Sequence, residues 1–102
     1  MKPQEKIFDK HFFERVNSRF EFPSLEYFKD NVIKYAKVYN RSNSHSCPHS
    51  VIKNKLNNPQ YSHQRFYVNT RYNIAVVEEN NTIFNVLYLD GRDGYGRNIS
   101  WN

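Results

Sequence analysis

Three runs of β-branched and aromatic residues, separated by two tight turns, constrain this chain more than any other feature. Arg65–Asn69, Tyr72–Glu78 and Thr82–Leu89 each read as a strand, with Thr70-Arg71 and Glu79-Asn80-Asn81 as the turns between them. Connections this short make an antiparallel meander. Asn98–Trp101 is expected to add an edge strand after it. Everything before residue 64 reads differently. Phe8, Phe12, Phe13, Val16 and Phe20 recur at about four, which predicts a helix over 5–19. Pro23-Ser24 then supplies a start signal, with Ser24 as N-cap and Glu26 in the first turn. Leu25, Phe28, Val32, Tyr35, Ala36 and Tyr39 share one face and extend that second helix to about residue 40. Residues 40–50 are rich in turn formers and read as a loop. A short helix over 48–56, opened by Pro48, would bury Val51, Ile52 and Leu56, and Asn57-Asn58-Pro59 stops it. Helices first and strands second make an α+β fold, with N-terminal helices packed on a C-terminal antiparallel sheet of about four strands. The reading is one domain over 1–102, mainly helical over 1–60 and a β-meander over 61–102.

A chain of 102 residues has room for one core of normal size. Eight Phe, eight Tyr and one Trp mean that this core rests on rings more than on Leu and Ile, and they argue against disorder. The longest aliphatic run, Ile74-Ala75-Val76-Val77, is far short of the ~20 apolar residues of a membrane helix. The charged start, Met1 to Lys6, has no hydrophobic stretch behind it, so no signal peptide is expected. A single cysteine, Cys47, cannot staple the chain to itself. The domain is expected in a reducing compartment, or in an oxidising one without disulfides.

The formal net charge is +5, and its distribution matters more than its size. Between Asp30 and Glu78 there is no carboxylate, while Lys34, Lys37, Arg41, Lys53, Lys55, Arg65 and Arg71 all fall inside that stretch with His45, His49 and His63. Tyr35, Tyr39, Tyr61, Phe66, Tyr67 and Tyr72 are interleaved with them. Cations to hold phosphates and rings to stack on bases are the composition of a nucleic-acid surface. A solvated basic face, or a surface for an acidic protein, draws on the same charge.

Four local patterns carry possible chemistry. His45-Ser-Cys47-Pro-His49 with the distant His63 offers zinc ligands, but at spacings unlike those of structural sites, so the signal is weak and an ordinary polar loop is the expected reading. Nothing visible positions a base beside Cys47. Asp90-Gly-Arg92-Asp-Gly-Tyr-Gly-Arg97 has backbone donors and two guanidinium groups suited to phosphate, without matching a P-loop, and it also reads as a plain hairpin loop. Asn85 is a polar residue in an apolar strand, placed on one face with Ile83, Leu87 and Leu89 and opposite Phe84, Val86 and Tyr88. It is either hydrogen-bonded to the fold or aimed at a ligand. Lys10-His11 pairs a group titrating near neutrality with a cation, as metal-free cleavage of RNA at a 2′-hydroxyl requires.

Arg65-Phe-Tyr-Val-Asn69, Asn73-Ile-Ala-Val-Val77 and Thr82-Ile-Phe-Asn85 followed by an apolar run resemble the sheet of the colicin D nuclease domain. They are also similar to toxin domains of contact-dependent inhibition systems, in the wider group that includes barnase. Asp9-Lys10-His11 stands where colicin D-like members carry a Lys-His pair, and Phe20-Glu-Phe-Pro-Ser-Leu-Glu-Tyr27 resembles the start of their second helix. The resemblance spans roughly residues 8–90. It implies a metal-independent ribonuclease, without a cofactor, that cuts tRNA by 2′-hydroxyl attack and leaves a 2′,3′-cyclic phosphate. It implies proton transfer at His11, phosphate stabilisation at Lys10 and a site role for Asn85 where the family has Ser or Thr. The family's second lysine reads Phe8 here, with Lys6 the nearest substitute. Arg65, Arg71, Arg92 and Arg97 complete the expected phosphate-binding set. Such toxins are delivered from a producer cell, act in the cytoplasm of a target cell and are neutralised by a cognate, often acidic, immunity protein. A non-catalytic nucleic-acid-binding module using residues 31–77, or a basic protein with an acidic protein partner, is the alternative.

Overall fold

The computed structural model describes residues 7–20 and 22–89. Its elements run β1 (Ile7–Phe8), α1 (Phe12–Phe20), α2 (Leu25–Phe28), a π-helical turn (Lys29–Ile33), β2 (Lys37–Tyr39), a 3-10 helix (Arg41–Ser46), α3 (Ser50–Leu56), β3 (Arg65–Asn69), β4 (Ile74–Glu79) and β5 (Thr82–Tyr88). The α+β class is as expected. The sheet has five strands in the order β1-β5-β4-β3-β2, and β1 lies parallel to β5 while the other pairs are antiparallel. The meander is the centre of this sheet. Asn80 and Asn81, with φ of 52° and 65°, form its second turn between the paired residues Glu79 and Thr82. Positive φ at both central residues suits the right-handed twist of a hairpin, and Asn tolerates it. The expected strand at 98–101 lies outside the described residues.

Two short edge strands come from regions read as helix. Phe8 belongs to β1, and α1 starts only at Phe12, because Asp9 interrupts the chain between them. Its backbone N–H donates to Ile83 O at 2.8 Å, and its carboxylate accepts from the His11 N–H at 3.2 Å. The Phe8 and Phe12 rings still meet at 5.7 Å, so the four-residue spacing survives across a strand–helix junction. The second helix also ends early. Ser24 caps α2 as expected, its Oγ accepting from Tyr27 N–H at 3.1 Å, and Phe28 and Val32 are buried. The helix then widens, Lys34 N–H reaching Lys29 O at 2.9 Å, and stops. The stop comes from β3, where the Asn69 amide donates to Val32 O at 3.1 Å and Asn31 O at 3.4 Å and so occupies carbonyls a continuing helix would need. Tyr35 is left 71% exposed, and Tyr39 is buried in β2 against the other face of the sheet.

The segment read as a loop at 40–50 holds the 3-10 helix, closed by reciprocal Asn40 and Asn43 capping bonds. It and α3 cover one face of the sheet, while α1, α2 and the π-helical turn cover the other. Phe12, Val16, Phe28, Val32, Tyr67, Ile74, Val76 and Ile83 form the first core cluster. Tyr39, Cys47, Ile52, Leu56, Phe66, Val68, Ala75, Val77 and Leu87 form the second. Central strands are therefore buried on both faces, which is why they read as near-continuous apolar runs. A β-bulge corrects the expected facing of β5. Glu78 pairs with Ile83 and Val77 with Asn85, so Phe84 is the extra residue. Ile83 joins Val86 and Tyr88 on the first face, and Phe84 joins Leu87 and Leu89 on the second.

Candidate nucleic-acid interface

The residues expected to catalyse are not gathered together. Lys10 and His11 form the exposed turn before α1, with His11 Nδ1 3.5 Å from the Glu14 carboxylate. Asn85 pairs with Val77, whose side chain lies in the second cluster, so it points to the opposite face of the sheet from α1. Its Oδ1 accepts from the neighbouring Val86 N–H at 2.9 Å, which ties the amide to the bulge. Arg15 spans the junction of β1, α1 and the bulge, donating to Phe84 O at 2.7 Å and Asp9 Oδ2 at 3.1 Å. Arg65 lies 3.5 Å from the buried carboxylate of Glu78, which also accepts from the Tyr67 hydroxyl at 2.8 Å. The Tyr67 hydroxyl and Glu78 hold its guanidinium above the ordinary arginine range. Lys6, Arg92, Arg97 and the glycine-containing loop lie outside the described residues. Cys47 is buried with Sγ 3.6 Å from His49 O, and no group of three His, Cys, Asp or Glu side chains gathers among the described residues.

Of the expected phosphate ligands among the described residues, Arg71 lines a groove. A groove of about 460 Å³ opens beside the edge strand β2. It is lined by Asn31 and Tyr35 from the end of the second helix, Lys37 and Tyr39 of β2, Pro48 and His49 ahead of α3, and Val68 to Arg71 at the end of β3 and the turn after it. Asn69 holds these parts in register. Its amide nitrogen binds the helix end, and its Oδ1 accepts from Arg71 N–H at 3.0 Å. The cations lean on rings: Lys34 Nζ lies 5.9 Å from the Tyr35 ring centre, Lys37 Nζ 5.5 Å from Tyr39, and the Arg71 guanidinium 5.8 Å from Tyr72. Among the described residues no carboxylate lines the groove. The acid-free stretch of sequence supplies its lining. Tyr35, Lys37 and His49 were absent from the expected catalytic and phosphate-binding residues; membership of that stretch was their signal in sequence, with the His45-Cys47-His49 pattern a second one for His49.

A second polar cluster sits at the opposite end of β3. His63 Nε2 meets Glu79 Oε1 at 2.5 Å, and the Gln64 amide donates to the same oxygen at 3.2 Å. Lys55 on α3 lies beside them, its Nζ 4.6 Å from the Tyr61 ring centre and 5.8 Å from that of Phe66. Burial pulls the Lys55 ammonium from its ordinary 10.5 down to about 8, against the opposing pull of Glu79. The hydrogen bonds from Gln64 and His63 hold the Glu79 carboxyl below its ordinary 4.5. A depressed carboxylate stabilises the fold above the unfolded value, and that contribution is lost as pH falls through the folded one. Stability is therefore expected to drop below about pH 4.5, and Glu79→Gln to remove part of that acid sensitivity. Urea midpoints compared between about pH 6 and pH 3 measure it, and identical slopes in both proteins would contradict the assignment.

Among the described residues no helix is long and apolar enough to cross a membrane. Comparison with protein-family models, curated proteins and solved structures finds no match for this chain.

Proposed function

We propose that this protein is an RNA-binding domain that holds a single strand in the groove beside β2. The observation that supports it is the coincidence, in one cavity, of Lys37, Arg71 and His49 with the exposed ring of Tyr35 and, among the described residues, no carboxylate. Cations bind the backbone, and an exposed ring stacks on any base. A volume of about 460 Å³ falls in the range of small-ligand sites, enough for a nucleotide-sized group. Binding of a fluorescent oligoribonucleotide in EDTA, followed across salt, tests the reading. With Lys34, Lys37 and Arg71 on phosphates, log K is expected to fall with log salt at a slope of about −2, taking ~0.7 per contact. Salt-independent binding, or none at low salt, would overturn it.

The resemblance to colicin D-like toxins supports a second, fuller reading: a ribonuclease toxin that cuts tRNA and is delivered to a target-cell cytoplasm. A cognate acidic immunity protein would then cover the basic groove. Lys10 and His11, exposed before α1, are the residues this reading relies on. Incubation with total tRNA in EDTA separates it from binding alone. Fragments ending in cyclic phosphate and lost in His11→Ala support His11 as the catalyst; intact tRNA disfavours cleavage.

A further inference from the structure

We propose that His63, oriented by Glu79 and flanked by Lys55, is the proton-transfer group of a ribonuclease site on the second face of the sheet. The inference rests on the RNA-binding reading and adds a reaction to it. His63 is half exposed, and with Nε2 committed to Glu79 its Nδ1 has no hydrogen-bond partner among the described residues. A carboxylate that fixes one imidazole nitrogen and leaves the other facing outward is the arrangement by which a histidine serves as general base. Glu79 is itself fixed, by Gln64 on the far side of β3's start. Gln64 and Asn69 are five residues apart along that strand, about 16 Å at ~3.3 Å per residue, a gap that a short single strand leaving the groove can bridge. The groups facing His63 and Lys55 are Glu79 from β4, Gln64, and the rings of Tyr61 and Phe66. Neither Lys10-His11 nor Asn85 belongs to this cluster.

The chemistry closes without a metal or a second reactant. His63 Nδ1 takes the proton of a ribose 2′-hydroxyl, and O2′ forms a bond to the adjacent phosphorus. The P–O5′ bond breaks, and the imidazolium returns its proton, through water, to the departing O5′. The products are a 2′,3′-cyclic phosphate and a free 5′-hydroxyl. Glu79 acts as a positioning residue that holds the imidazole and balances its charge. Lys55, buried next to Glu79 and over the Tyr61 ring, adds positive charge to the cluster from beneath while protonated.

The test uses the intact chain, a fluorescent tRNA transcript and EDTA, with binding read by anisotropy and cleavage by gel. His63→Gln is expected to lose cleavage by ~100-fold or more, far beyond any change in its binding. Glu79→Gln is expected to slow cleavage by about tenfold and to move the acid limb of the rate–pH profile, which a merely structural role would not do. Circular dichroism checks that both variants fold. Cleavage undiminished in His63→Gln overturns the proposal and returns catalysis to His11. Tight binding without cleavage by the parent overturns it while leaving RNA binding intact. Loss of both in the parent overturns the two together.

Discussion

Reversing two charges in the groove, with Lys37→Glu and Arg71→Glu together, is expected to lower affinity for single-stranded RNA by about 100-fold at moderate salt. A charge-assisted hydrogen bond contributes about 1.5 kcal/mol at the low end of its range, and two give about 3 kcal/mol, or ~100-fold. The fold should not suffer, because both side chains are exposed and neither forms an ion pair with a described carboxylate. Lys53→Glu on the exposed face of α3 is the control for each reversal taken singly. It changes net charge by two units, as each of them does, but away from the groove, so screening at about 0.1 M salt should confine its effect to a few-fold. Equal losses in groove and control variants would mean that net charge alone drives binding.

Truncating Phe28 to alanine is expected to cost about 3–5 kcal/mol, a large share of the ~5–15 kcal/mol that holds a small domain together. Phe28 is fully buried, and its ring meets Phe12 edge-on at 5.5 Å and Phe22 at 5.2 Å. Phe22 in turn packs on Tyr72 at 5.5 Å, so a chain of rings centred on Phe28 and Phe22 joins α1, α2 and the β3–β4 turn. Its loss leaves a cavity that three separate segments must collapse to fill. The consequence reaches function, because the π-helical turn after Phe28 carries Asn31 to the groove. Urea unfolding measures the effect. A midpoint within experimental error of the parent would contradict the packing described, while a changed m-value would point to the denatured state.

The meander was legible because its causes are local. Arg65–Asn69 appears with the expected bounds, and paired asparagines make the hairpin turn. The edge strands were not, because their causes are distant. β2 exists because Asn69, more than thirty residues on, captures the carbonyls of the second helix, and β1 because Asp9 N–H finds Ile83 O. The periodicity of Tyr35 and Tyr39 is real in the sequence, yet one ring ends up exposed and the other in the opposite core cluster. The bulge at Phe84 is equally silent, since a strand's alternation gives no notice of an inserted residue, and it turns Asn85 towards the second face.

The site divides in the same way. An acid-free run from 31 to 77 announced a basic surface, but only the return of β3 beside β2 made a groove of it. Arg65 looked like a phosphate ligand, and its neighbour across the strands is Glu78. His63 and Glu79 are sixteen residues apart, and only the β3–β4 pairing brings them into contact.

Backbone amide chemical shifts recorded while a short oligoribonucleotide is titrated into the labelled protein test the central claim most directly. The account predicts that Tyr35, Lys37, Thr70 and Arg71 move first and saturate together, with His63 and Gln64 following as longer strands are used. First shifts at Lys10, His11, Phe84 and Asn85, with the groove unmoved, would contradict it.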